Sequence, residues 1–242
     1  MKLIKINYSL ILLVLISFYP KGIVALPSTE TSLETSFTEP QLLESKIRSM
    51  TDIGNGVLLQ SYYWLVPDNG EWWNIISDYT EEFSEIGFDA LWLPPPSKTR
   101  EGDTARGGYE PYDYYDLGEF DQKGSTRTRY GTRAELKNLI QDASNHDIQT
   151  IADIVINHNN GGEEERNIFA GGGNTSTNFM NIASGKFPRN YTCFYPCEYG
   201  TSDALQFGVM PDLCHANPYV HDELIKWGEW LRDEIGFTGW RF

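Results

Sequence analysis

The most constraining feature of this chain is the run Thr150-Ile151-Ala152-Asp153-Ile154-Val155-Ile156, where Asp153 stands among side chains that are nearly all apolar. A strand apolar on both faces has to be covered on both faces, and helices crossing over a parallel sheet do this. Two earlier runs have the same character. Gly56-Val57-Leu58-Leu59-Gln60 precedes the aromatic cluster Tyr62-Tyr63-Trp64, and Ala90-Leu91-Trp92-Leu93 stops at Pro94-Pro95-Pro96. Proline has no N–H to give to a ladder, so the triple proline ends that strand. A fourth strand begins at Gly239-Trp240-Arg241-Phe242.

Helical spacing fills the intervals. Trp73 to Ile86 places Trp73, Ile76, Tyr79, Phe83 and Ile86 on one face, with Gly87 as C-cap. Arg133 to Asn145 follows Thr132, with Glu135 in capping-box position. Pro218 to Ile235 sets Val220, Leu224, Trp227 and Leu231 on one face. Between Asn157 and Leu213 no period persists, which predicts a long irregular insertion. This order describes the first half of a (β/α)₈ TIM barrel, about four strands, with an excursion after the third. A doubly wound sheet would want a Gly-rich phosphate turn after its first strand, whereas Gly54-Asn55-Gly56 precedes it.

Charge narrows the partners. A formal net charge of -15 repels nucleic acid and anionic membrane surfaces, so neither is expected as a partner. Fourteen Tyr and seven Trp offer flat faces on which the C–H groups of sugars stack. Lys2 and Lys5, an apolar run from Ile6 to Phe18, and Ile23-Val24-Ala25 form a signal-peptide pattern. The run is broken by Asn7 and Ser9 and falls short of the roughly 20 residues a spanning helix needs. A secreted product without stable membrane insertion is therefore expected. The domains predicted are a signal peptide (1–25), a Ser/Thr/Glu-rich tether (26–51), a first barrel part (52–156), an inserted subdomain (157–213) and the continued barrel (214–242). Cys193, Cys197 and Cys214 are an odd set, leaving one disulfide plus a thiol, or a metal site, as alternatives.

Barrels place working residues at the C-terminal ends of strands and in the loops beyond. Gln60, Tyr62, Trp64, Tyr109, Tyr112, Asp113, Asn157 and His158 occupy such positions, and Asp153 lies just before the last two. The segment Asp153-Ile154-Val155-Ile156-Asn157-His158 resembles the first signature region of the α-amylase family. Gly87 to Pro94, Gly108-Tyr109 with Asp113, Tyr130-Gly131-Thr132, Met210-Pro211-Asp212-Leu213 and Gly236 to Phe242 resemble further family motifs in order. Ala152 to His158 and Gly118 to Gly124 are most similar to archaeal and plant-like members.

The resemblance implies retaining endo-hydrolysis of α-1,4-glucosidic bonds in starch- or glycogen-type polysaccharide, by an enzyme that is a monomer at full length. It also implies that the nucleophile, the acid/base and a third carboxylate are missing from these 242 residues, so that the chain alone is inactive. By resemblance, Arg241 supports the nucleophile, and His158 contacts sugar hydroxyls. Tyr109 stacks on the sugar ring, with Tyr62 and Trp64 beside it. Asp153, Asp113 and Gln60 are structural. Asn157, Asp203, Asp212 and a carbonyl near Leu205 are implied calcium ligands. Cys214 matches a zinc pattern of some archaeal relatives, but Tyr195 and Gly200 stand where those carry His, so zinc is not predicted. A non-catalytic α-glucan-binding remnant and a transglycosylating family member are the alternative functions.

Overall fold

The computed structural model describes residues 56–104, 107–203 and 208–242. The expected signal peptide and tether, and Leu205, lie outside the described residues. The chain runs β1 (Leu58–Gln60), α1 (Trp72–Ser77), α2 (Thr80–Ile86), β2 (Ala90–Leu93), β3 (Lys98–Thr99), β4 (Pro111–Asp113), α3 (Arg133–Asn145), β5 (Gln149–Asp153), β6 (Glu163–Arg166), β7 (Asn174–Asn178), α4 (Pro218–Trp230) and β8 (Gly239–Arg241). Strands β1, β2, β5 and β8 pair in parallel in that order. Sequential order without reversal is the winding of a (β/α) barrel, here an open four-stranded sheet. A doubly wound sheet would reverse direction part-way.

Local chemistry explains the helix ends. Thr132 Oγ1 accepts from the Glu135 N–H while Glu135 Oε2 accepts from the Thr132 N–H at 2.7 Å, a reciprocal cap that starts α3. Asn217 Oδ1 accepts from the Tyr219 N–H, and Pro218 opens α4. Leu136, Leu139, Ile140 and Ala143 of α3 are buried in one core with Leu59, Leu91, Leu93 and Ala152 of the sheet. Each leucine fully buried there gains about 2 kcal/mol over exposure.

Four expectations change. The predicted helix from Trp73 to Ile86 is two helices, because the Thr80 hydroxyl takes the Ser77 carbonyl and the ladder restarts at Tyr79. Tyr79 and Ile86 are consequently exposed. Strand β1 is shorter than predicted and buries only Leu59, since it forms the edge of the sheet and leaves Leu58 exposed. Strand β5 ends at Asp153, three residues before the predicted end. The insertion is not wholly irregular, since β6 and β7 form an antiparallel hairpin. Its strands read Glu-Glu-Glu-Arg and Asn-Thr-Ser-Thr-Asn.

Two buried cations organise what lies above the sheet. Lys98 Nζ donates to the carbonyls of Phe120, Ser125, Thr126 and Arg127 at 2.6–3.3 Å and pairs with Asp116 Oδ2 at 3.4 Å. Desolvation pulls this ammonium's pKa down, against the opposing pull of Asp116. Arg189 is wholly buried and donates to the carbonyls of Phe187 and Tyr112. Its guanidinium lies 4.6–5.1 Å from the ring centres of Phe187, Phe179 and Tyr114. Cys197 and Cys214 are joined in a disulfide, which leaves Cys193 a buried thiol. Two of the three sulfurs are thus taken as a disulfide and not as thiolate ligands.

Candidate functional site

The site grows from the C-terminal ends of the parallel strands. Asp153 ends β5, and burial leaves its side chain no contact with water. Its Oδ2 accepts from Tyr62 Oη and from Tyr109 Oη, each at 2.5 Å, and the two phenol oxygens lie 2.7 Å apart. Its Oδ1 accepts from Arg241 Nη1 at 3.2 Å. Both Tyr62 and Tyr109 have raised pKa values, first because burial disfavours the phenolate and next because Asp153 accepts their protons in hydrogen bonds. Tyr109 is pushed up to about 12. Both are therefore neutral O–H donors at ordinary pH.

Aromatic rings frame this carboxylate. The Arg241 guanidinium lies over the Trp92 ring at 4.7 Å, and Tyr62 meets Trp92 edge-on at 5.6 Å. Trp64, more than half exposed, stacks on Tyr109 with centres 6.3 Å apart and planes 14° from parallel. Gly107 makes that stack feasible: it has φ +71°, and a Cβ there would come within 2.8 Å of the Trp64 ring.

The other predicted residues fall into two groups. His158 is buried beside this cluster, its Nε2 2.8 Å from the Tyr109 carbonyl and its Nδ1 3.3 Å from Asn157 Nδ2. A carbonyl only accepts, so Nε2 carries the hydrogen and Nδ1 faces the amide. Gln60 Nε2 donates to the Tyr62 carbonyl at 3.2 Å. Asp113, by contrast, turns toward the insertion. It accepts from Ser184 Oγ at 2.6 Å, from the Ser184 N–H and from Gln122 Nε2, and so ties the loop after β4 to residue 184.

Asp212 forms a bridge with His158 across the base of the insertion. Both its carboxylate oxygens are buried without a hydrogen-bond donor. Its pKa rises to about 6, first through desolvation and then through the neighbouring Asp203 carboxylate. Among the described residues, no three His, Cys, Asp or Glu side chains converge as a metal-binding group.

Sequence reasoning passed over Trp92, which looked like one more core residue of an apolar strand, and Ser184, whose partner lies 71 positions away. The alternation of Trp92 with buried Leu91 and Leu93 was the available signal.

Residues 67–242 match the family described as the α-amylase catalytic domain. The chain belongs to the α-amylase family. It is 30% identical to an α-amylase of Bacillus licheniformis over 232 residues, covering 77% of this chain and 44% of that protein. It is 28% identical to a glucan 1,4-α-maltohexaosidase of a Bacillus species with the same coverage of each. A crystal structure of a maltogenic α-amylase from Thermotoga neapolitana superposes with a TM-score of 0.51 at 18% identity, over 78% of this chain and 39% of that one. That likeness concerns the fold. The chain spans less than half the length of these relatives.

Proposed function

We propose that this chain forms the substrate-holding part of a secreted α-amylase site acting on α-1,4-glucan by retaining hydrolysis. The observation that carries the reading is the convergence of Tyr62, Tyr109 and Arg241 on Asp153, with Trp64 stacked on Tyr109 at the open side. Three donors on one buried carboxylate fix the Tyr109 ring, and a fixed ring is a low-entropy platform for a sugar. The maltohexaosidase among the relatives supports α-1,4-glucan as the substrate class. Retaining chemistry further needs two carboxyl groups about 5 Å apart across the scissile bond. Asp153 is engaged by three donors and does not fill either role. Arg241, half-exposed at the end of β8, has guanidinium N–H groups beyond the one given to Asp153, suited to holding a second carboxylate.

Calcium is the metal we assign to this enzyme. Asp212 offers two buried oxygens that lack a donor, Asp203 lies beside it, and Asn157 keeps its amide oxygen on the side away from His158. This all-oxygen set suits a hard divalent cation. Calcium when bound would offset the Asp203–Asp212 repulsion and fasten residues 157–213 to the barrel parts 52–156 and 214–242. Secretion rests on Lys2, Lys5 and the apolar run after them; among the described residues no helix is long and apolar enough to cross a membrane.

The test is affinity electrophoresis of the 242-residue chain through soluble starch, with dextran as control polymer. Retardation by starch alone, weakened in Trp64→Ala and Tyr109→Ala, is expected, with reducing-sugar release at background. Equal mobility in both gels would remove the glucan reading.

A further inference from the structure

A cavity of about 510 Å³ opens on the insertion, lined by Phe169, Met180, Asn190, Glu198, Tyr199 and Tyr219 among others. It shares no lining residue with the Asp153 cluster, and its volume lies in the range of small-molecule pockets. Phe169, Met180, Tyr199 and Tyr219 are all substantially exposed. Four large apolar side chains gathered around one opening mark a binding surface more than scattered exposure does.

The walls are fixed before any ligand arrives. Tyr219 Oη donates to the Pro188 carbonyl at 2.8 Å, and its ring meets Phe187 at 5.8 Å. Phe169 packs against Tyr191 at 6.0 Å. Asn190 Oδ1 accepts from both the Thr192 N–H and the Thr192 hydroxyl. That fixes the amide and leaves its N–H end as a donor.

The chemistry of the lining selects a ligand class. Among the described residues no lysine or arginine lines the cavity, Glu198 contributes a negative charge, and the chain as a whole carries -15; anions are disfavoured. Ring faces receive the apolar C–H face of a sugar, while an amide donor and a carboxylate acceptor meet its hydroxyls. From these residues we infer that the cavity is a second α-glucan site, carried by the insertion together with the start of α4 and separate in its residues from the Asp153 cluster. The inference rests on the α-glucan reading above for its choice of sugar.

The experiment is starch affinity electrophoresis of the full 242-residue chain and of Tyr199→Ala, Phe169→Ala, Tyr199→Phe and Trp64→Ala, with thermal melting of each. Losing one stacking ring should weaken apparent affinity about three- to tenfold. Tyr199→Ala and Phe169→Ala should each show this loss with an unchanged melting transition, and Tyr199→Phe should restore retention. Unchanged retention in both alanine variants overturns the inference, and if Trp64→Ala alone weakens retention, the main glucan reading survives without it. If the insertion variants weaken retention and Trp64→Ala does not, the cavity stands and the Asp153 platform fails. Displacement of starch by choline but not by maltoheptaose would show that the rings cage a cation and would also overturn the inference.

Discussion

Tyr62 and Asp153 stand 91 positions apart in sequence, and the phenol of one donates to the carboxylate of the other at 2.5 Å. The bond ties the loop after β1 to the end of β5, across the intervening strand β2. Replacing Tyr62 by Phe keeps the ring against Trp92 and deletes the hydroxyl, with its bonds to Asp153 and to the Tyr109 hydroxyl. A hydrogen bond to a buried charged group contributes about 1.5–3 kcal/mol, so a loss near that size is expected. Tyr109→Phe should cost less, because Tyr109 is only part-buried. Urea denaturation of both variants checks the ranking, and equal midpoints for Tyr62→Phe and the parent chain would show that Asp153 does not depend on this phenol.

Arg189 is a buried cation whose partners are carbonyls and ring faces. Arg189→Ala should cost about 3 kcal/mol or more, since it opens a void and strands the Phe187 and Tyr112 carbonyls. Arg189→Lys should rescue little, because a point charge cannot reach two carbonyls while lying flat among three rings. Melting temperatures of the two variants decide this; near-parental stability of the lysine variant would show that charge alone suffices.

The cap of α3 gives a pH dependence with a definite sign. Burial raises the Glu135 pKa, but hydrogen bonds from the Thr132 backbone, Asn74 and Arg127 outweigh it, and the folded value lies below the ordinary 4.5. A lowered folded pKa means stability present above pH 4.5 and lost as pH falls through the folded value. Glu135→Gln should therefore flatten the acid limb of the stability curve. Thr132→Ala should lower stability by about 1 kcal/mol at neutral pH. Chemical denaturation between pH 3 and 7 reads both, and an acid limb unchanged in Glu135→Gln would assign the titration to other carboxylates.

Calcium at a hundredfold excess over its dissociation constant should stabilise the chain by about 2.7 kcal/mol, and EDTA should reverse the gain. Asp212→Asn removes the charge repulsion with Asp203 along with one ligand charge. It should melt higher than the parent chain in EDTA and respond weakly to calcium. Calorimetry in both buffers tests this, and a parent chain indifferent to EDTA would refute the assignment.

What could be read from the sequence was local or periodic. The Thr132–Glu135 cap and the Gly87 terminus each sit within a few residues, and the structure keeps them. The break between α1 and α2 was hidden because Tyr79 and Ile86 fit the helical period even though they end up in solvent. The β6–β7 hairpin was hidden because polar residues on both faces carry no alternation to detect. The Asp153 cluster was legible as a set of residue types at strand ends. Its wiring was not, since each bond joins residues 44 to 91 positions apart.

The ammonium of Lys98 occupies the kind of place a dissociable ion takes in many loops, ringed by carbonyl oxygens with one carboxylate to balance it. Here the ion is tethered by its own side chain. The stretch from Asp116 to Arg127 therefore keeps its shape whatever the surrounding medium supplies, and neither chelation nor dilution can empty that ring. Starved of calcium, the protein should lose order first around Asp203 and Asp212, with the Lys98 loop still standing.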